Sequence, residues 1–145
     1  KVGLAGSRFG MLVGHPACIS EFDKIRLPYN INSLSQTAVQ FALENALILE
    51  EQSFRVRKER AKLVRELSKR GFNVWPSEAN FVVVKCPVDQ ARPIFEALKS
   101  RQILIKCLHG SHPRLKDTLR ITVGSSEELD TLLIAIDQLV AELGL

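Results

Sequence analysis

The sequence predicts an α/β protein, and two observations carry that prediction. The apolar content is aliphatic, since 46% of the 145 residues are hydrophobic and only 6% aromatic. An interior of Val, Ile and Leu suits buried strands flanked by helices. The second observation is an alternation from residue 72 onward, in which β-branched runs bounded by Pro and Gly take turns with runs of helical period. A chain of this length matches one ordinary domain of about 100–200 residues and can bury a real core.

In order, the apolar run Phe9 to Val13, ended by Gly14, suits a strand. His15 and Pro16 open a helix to about Arg26, with proline in its first turn. LPYNIN is loop, punctuated by Pro28, Asn30 and Asn32. Ser33 or Ser35 caps the next helix, which places Ala38, Val39, Ala42, Leu43 and Ala46 on one face. A long helix then runs from about Leu47 to Lys69 and stops at Gly71 after basic residues, as helix C-termini prefer. Its apolar positions, Phe54, Ala61, Val64 and Leu67, are sparse, so much of it is exposed and it reads as a bridge between two packed bodies.

Beyond it, NVWPSEANFVVVKCP holds a short strand, a break at Pro76 and a strand from Phe81 to Lys85. Residues 89–101 are helical with Pro93 in the first turn, ILIKCL is a strand, HGSHPRLKD is loop and LRITVG is a strand. Ser125-x-x-Glu128 is a capping box for a terminal helix whose Leu129, Leu132, Leu133, Ile136, Leu139, Val140 and Leu143 form one wide stripe. The order β-β-α-β-β-α describes an open-faced α/β sandwich. The expected organisation is therefore residues 1–46, a bridging helix over 47–71, and a small domain over 72–145.

The formal charge of +4 does not point to nucleic acid. The densest basic cluster, Arg55 to Arg65, is interleaved with Glu59 and flanked by Glu50, Glu51 and Glu66, which describes a solvated helix face. No aromatic residues interleave with it as a stacking platform requires. The cysteines Cys18, Cys86 and Cys107 are odd in number and far apart, without Cys-x-x-Cys or ligand spacing to a histidine. Reduced buried thiols and no metal site are expected. No apolar run approaches the ~20 residues that span a bilayer, so a soluble, cytoplasmic protein is expected. A chain that opens on lysine and runs directly into glycine-rich text also reads as a piece of something longer.

That opening string, KVGLAGSRFG, is the most informative in the chain. Gly3, Gly6 and Gly10 let a backbone approach a ligand closely, Arg8 offers a permanently charged fork suited to phosphate, and Lys1 is an amine nucleophile. Taken alone this is a weak phosphate signal, and it lacks the GxxxxGK[ST] order of a Walker loop.

The string resembles the active-site segment of fold-type I pyridoxal-phosphate aminotransferases, in which a lysine precedes a Gly-Leu-Ala-Gly stretch and an arginine. PYNIN with SLSQ, PSEANFVVV, ILIKCLHGSHP and LRITVGSSEE are similar to the histidinol-phosphate branch, in the same order and over nearly the whole chain. The resemblance implies that residues 1–46 end a large cofactor-binding domain and 72–145 form the small C-terminal domain. Lys1 is then the Schiff-base lysine and Arg8 the cofactor-phosphate ligand. Arg120 grips the substrate's anionic tail, a phosphate ester in this branch, for which a bidentate guanidinium is the better match. Lys106 stands where many relatives carry another substrate-side arginine.

Tyr29 and Asn30 are similar to residues that line the active site or the dimer contact, although as bare residues they are turn formers. Asn80 is either a substrate-facing amide or a structural turn residue. His109, Ser111 and His112 sit in one loop without an aspartate at a telling offset, which describes loop and not acid–base machinery. A lysine with an ordinary pKa of about 10.4 is protonated at neutral pH, so a lysine that attacks or moves protons must sit in a site that depresses that value.

The implied activity is transamination between histidinol phosphate and 2-oxoglutarate, by a homodimer. The carboxylate that must face the cofactor's ring nitrogen is not identifiable among these residues, so the chain alone is expected to be inactive. Two other readings remain open: a related enzyme acting on an aromatic amino acid or as a phosphothreonine decarboxylase, and a non-catalytic ligand-sensing or oligomerisation module over residues 72–145.

Overall fold

The computed structural model describes residues 5–143, and it divides into two compact units at Ser53 and Phe54. Lys1 and Gly3 lie outside the described residues, as does the side chain of Leu143.

The first unit is helical. A single 3-10 turn, Ala5–Ser7, leads through Arg8, whose φ of 52° is left-handed, into residues 9–15 without regular structure. The strand expected over Phe9 to Val13 is absent. A strand needs a partner ladder, and every strand among the described residues lies beyond residue 72. Helix α1 is Pro16–Asp23, with Pro16 in its first turn and His15 Nδ1 accepting the Ala17 N–H at 3.3 Å. Helix α2 is Ser33–Glu44. Its cap is Asn32 and not either expected serine: Asn32 Oδ1 accepts the Ser35 N–H at 2.8 Å. The Ser35 hydroxyl is spent elsewhere, donating to the Ser7 carbonyl at 2.8 Å and tying the opening turn to α2. Val39 and Ala42 are the buried hydrophobics among this unit's described residues.

Helix α3, Ala46–Lys69, contains the boundary between the units. Its end is a Schellman motif: the Phe72 N–H reaches the Leu67 carbonyl at 3.2 Å and the Gly71 N–H reaches Ser68 at 3.1 Å, with Gly71 at φ 82°.

The second unit has the expected β-β-α-β-β-α order. Strands β1 (Asn73–Val74), β2 (Phe81–Lys85), β3 (Lys106–Cys107) and β4 (Thr118–Thr122) form one antiparallel sheet in the order β1-β2-β4-β3. Helices α4 (Ala91–Ser100) and α5 (Ser126–Leu143) complete it. The period of two sorts the central strands. Val82, Val84, Leu119 and Ile121 face a core shared with Leu63 and Leu67 of α3, Ile94 and Leu98 of α4, and Leu129, Leu132, Ile136 and Leu139 of α5. Each fully buried leucine there contributes about 1.5–3 kcal/mol. The capping box forms as expected, with Ser125 N–H donating to Glu128 Oε2 at 2.7 Å and Glu128 N–H to Ser125 Oγ at 3.3 Å.

ILIKCL contributes less strand than expected. Only Lys106 and Cys107 pair with β4, while Ile103 and Ile105 are held by packing against the core. Gln102 explains the late start. It occupies the left-handed position, φ 63°, of a second Schellman motif, in which Ile103 N–H bonds Leu98 at 2.9 Å and Gln102 N–H bonds Lys99 at 3.0 Å.

Candidate functional site

The outer face of the second unit's sheet carries the cations that the sequence singled out. Lys106 on β3 lies directly opposite Arg120 on β4, and Arg120 lies opposite Val83 on β2. Directly opposed residues in an antiparallel ladder share a face, so both positive side chains project from the sheet on the side away from the core, and both are exposed. Like charges in that relation repel. Among the described residues no carboxylate pairs with either. A site that leaves two opposed cations without a counterion has the chemistry to take an anion from outside, and the flat guanidinium can bind two oxygens at once.

Arg120 is also oriented from below. Its guanidinium carbon sits 5.3 Å from the centre of the Phe81 ring, within cation–π range. Phe81 follows Asn80, whose carbonyl accepts the Val123 N–H at 2.9 Å and so joins the start of β2 to the end of β4. Asn80 is exposed at this end of the sheet. Asn80, Lys106 and Arg120 thus belong to one unit, with the two cations brought together on one face.

The other expected site residues lie in the first unit. Arg8 is exposed at the end of the opening turn, and among the described residues it has no carboxylate partner. Tyr29 is 98% exposed at φ 55°, and Asn30 Oδ1 accepts from Arg26 Nη1 at 3.3 Å. Lys1 lies outside the described residues.

Sequence reasoning missed three contacts. It missed Phe81 beneath Arg120, although the period of two places 81 and 83 on one face with position 120. It missed Arg60 of α3, which donates to the Ala79 carbonyl at 2.8 Å and to Glu78 Oε2 at 2.7 Å. And it missed a histidine–aspartate contact in the loop thought to have none. His109 Nδ1 accepts the Asp117 N–H at 3.0 Å and lies 3.2 Å from Asp117 Oδ1. The offset of eight residues carries no signal, because the loop folds back on itself to make it. His112 Nδ1 likewise caps a turn through the Arg114 N–H at 3.2 Å, so the loop's histidines serve its backbone.

The expectation about thiols needs one correction. All three are free, but only Cys86 is buried and Cys18 is exposed. Burial, with Asp117 nearby, pushes the Cys86 thiol up to about 12. Among the described residues no group of histidine, cysteine and carboxylate side chains could hold a metal, and no helix is long and apolar enough to cross a membrane.

The family model for class I and II aminotransferases matches residues 1–136. The chain belongs to that family. Its similarity to histidinol-phosphate aminotransferase 2 of Nitrosococcus oceani is 49% identity over 137 residues, which is 94% of this chain and 38% of that protein. The histidinol-phosphate aminotransferase of Chromobacterium violaceum is 47% identical over 139 residues, 95% of this chain and 38% of the relative. Among solved structures, the histidinol-phosphate aminotransferase of Sinorhizobium meliloti in complex with pyridoxal-5'-phosphate superposes with a TM-score of 0.80 at 31% identity. That match covers 97% of this chain and 39% of the other. This aminotransferase chain therefore spans about two fifths of the length of the relatives it matches.

Proposed function

We propose that the protein to which this chain belongs is a pyridoxal-phosphate-dependent transaminase that moves the amino group of L-histidinol phosphate to 2-oxoglutarate. The observation that carries the reading is the opposed pair Lys106 and Arg120, exposed on one sheet face with no carboxylate partner among the described residues. A phosphate ester at near-neutral pH carries more than one negative charge, and two adjacent cations match it better than they match a single carboxylate.

When bound, pyridoxal phosphate supplies the electron sink that lets the Cα–H bond of an amine donor ionise. Lys1 provides the amine that anchors it and the base that moves the proton at Cα. Arg8, an exposed guanidinium with no carboxylate partner among the described residues, has the chemistry to hold its phosphate. Arg120 binds the donor's phosphate and Lys106 adds charge beside it, while Asn80, Tyr29 and Asn30 line the site. In this reading residues 1–46 close the cofactor domain, 47–71 form the linking helix and 72–145 the substrate-side domain of a cytoplasmic homodimer. Residues 1–145 without the rest of the relatives' length do not transaminate.

The test is glutamate formation from 2-oxoglutarate by the complete protein with added cofactor. Histidinol phosphate should be the preferred donor, Lys1→Ala should abolish turnover, and Arg120→Lys should raise KM for the donor by about tenfold or more, the loss expected when a bidentate contact becomes a single one. Preference for an aromatic amino acid, decarboxylation of phosphothreonine, or an Arg120→Lys variant with unchanged KM would each overturn the assignment.

A further inference from the structure

We infer that Arg60 is a positioning residue for the anion site: by gripping the loop of residues 76–80 from helix α3 it sets the Phe81 ring, and through that ring the direction of Arg120. The inference rests on the reading of Arg120 as the anion anchor.

Arg60 is an unusual member of its helix. Its neighbours Arg57 and Lys58 are exposed, whereas the Arg60 side chain is only 11% exposed. It reaches across 19 residues to donate from Nη1 to the Ala79 carbonyl at 2.8 Å. The ion pair from Nη2 to Glu78 cannot explain that placement, because the Glu78 side chain is 94% exposed and a pair so open to water contributes little. The fixed element is the hydrogen bond from a largely buried cation to a backbone oxygen.

What that bond holds is narrow. Ser77 Oγ accepts the Ala79 N–H at 3.1 Å and donates to the Phe81 carbonyl, so residues 77–81 close on themselves as one hydrogen-bonded turn. Arg60 fixes this turn to α3, and α3 is fixed to the core by Leu63 and Leu67, which sit one and two turns further along. Phe81 is the first residue of β2, paired opposite Thr122, and its ring is the surface on which the Arg120 guanidinium rests at 5.3 Å. A ring face beneath the guanidinium leaves the N–H edges free, which are the groups a phosphate needs. Arg60 never touches the ligand. It decides where the turn, the ring and hence the edges of Arg120 lie.

The experiment is side-chain NMR of the intact chain, following the Arg120 Nε–Hε resonance, which the Phe81 ring displaces, in free protein and during titration with inorganic phosphate. Arg60→Met should move that resonance toward the value of an arginine with no ring beneath it, and should weaken phosphate binding about two- to fivefold, the share a partly exposed cation–π contact contributes. Lys62→Met, which breaks the neighbouring contact to Asp130, should leave both unchanged even where it lowers Tm equally. Ser77→Ala, which loosens the same turn from its other side, should reproduce the Arg60→Met shift, and it decides the question if Arg60→Met fails to fold. An Arg120 resonance at its wild-type position in either loop-releasing variant overturns the inference. A wild-type chain whose Arg120 ignores phosphate overturns the anchor reading instead, and the ring displacement in the free protein still decides the role of Arg60.

Discussion

Two helices end in the same backbone geometry with different residues, and that difference sets up a matched pair of substitutions. Gly71 after α3 has φ 82° and Gln102 after α4 has φ 63°, and each donates the short bond of a Schellman motif. A side chain in the left-handed region costs about 1–2 kcal/mol, which glycine escapes. Glycine in turn loses about 0.4–1 kcal/mol through the freedom it has in the unfolded chain. Gln102→Gly should therefore stabilise the second unit by about 0.5–1 kcal/mol, or about 2–8 °C in Tm for a domain of this size. Gln102→Ala keeps the β-carbon and should change little. Gly71→Ala tests the converse. A β-carbon at Gly71 would meet nothing within 4 Å, so no clash adds to the torsional cost, and with the unfolded-state gain set against it the net loss should be about 0.5–1 kcal/mol. Urea unfolding of the three variants followed by circular dichroism measures all of this. A Gln102→Gly chain with a lower midpoint than wild type, or a Gly71→Ala chain with an unchanged one, would refute the torsional account.

Glu66 is held below its usual 4.5 by Lys69 and then Arg70, and Asp137 below its usual 3.8 by Arg70. Carboxyls depressed in the folded state add stability that is complete above their unfolded values and is lost as pH falls through the folded ones. Tm should thus fall below about pH 4.5, and Asp137→Asn should fall less steeply over that range, as scanning calorimetry at several pH values would register. Among the thiols, Cys18 should react with an aromatic disulfide reagent in the native chain, while Cys86, buried and with its thiol pushed up to about 12, should react only on unfolding. Rapid native labelling of Cys86, read by peptide mass mapping, would contradict its placement.

Most of the second unit was legible because its elements obey a period. Val82, Val84, Leu119 and Ile121 alternate, the terminal helix repeats leucine at helical spacing, and Ser125 with Glu128 spells out a cap that forms. The cations Lys106 and Arg120 were legible as residue types, but their direct opposition depends on strand register, which follows from how β4 meets β2 and β3. Phe9 to Val13 misled for the opposite reason. The run has strand composition, but composition cannot supply the neighbouring ladder a strand requires. Asn32 prevailed over Ser33 and Ser35 as the cap because cap choice turns on where the first helical φ falls. Arg60 was hidden in a helix crowded with similar cations, since only its tertiary partner Ala79 separates it from Arg57 and Lys58.

The sheet's strand order has a consequence for self-association. The two five-residue strands, β2 and β4, lie in the middle, and each margin is a strand of two residues. A stray extended segment that approaches either margin finds barely a rung of free amides and carbonyls to copy. Proteins commonly blunt their sheets against runaway templating in this way, and the second unit achieves it through brevity, with the β-branched run Val82 to Val84 paired along its length with β4 and covered by β1 at Val84.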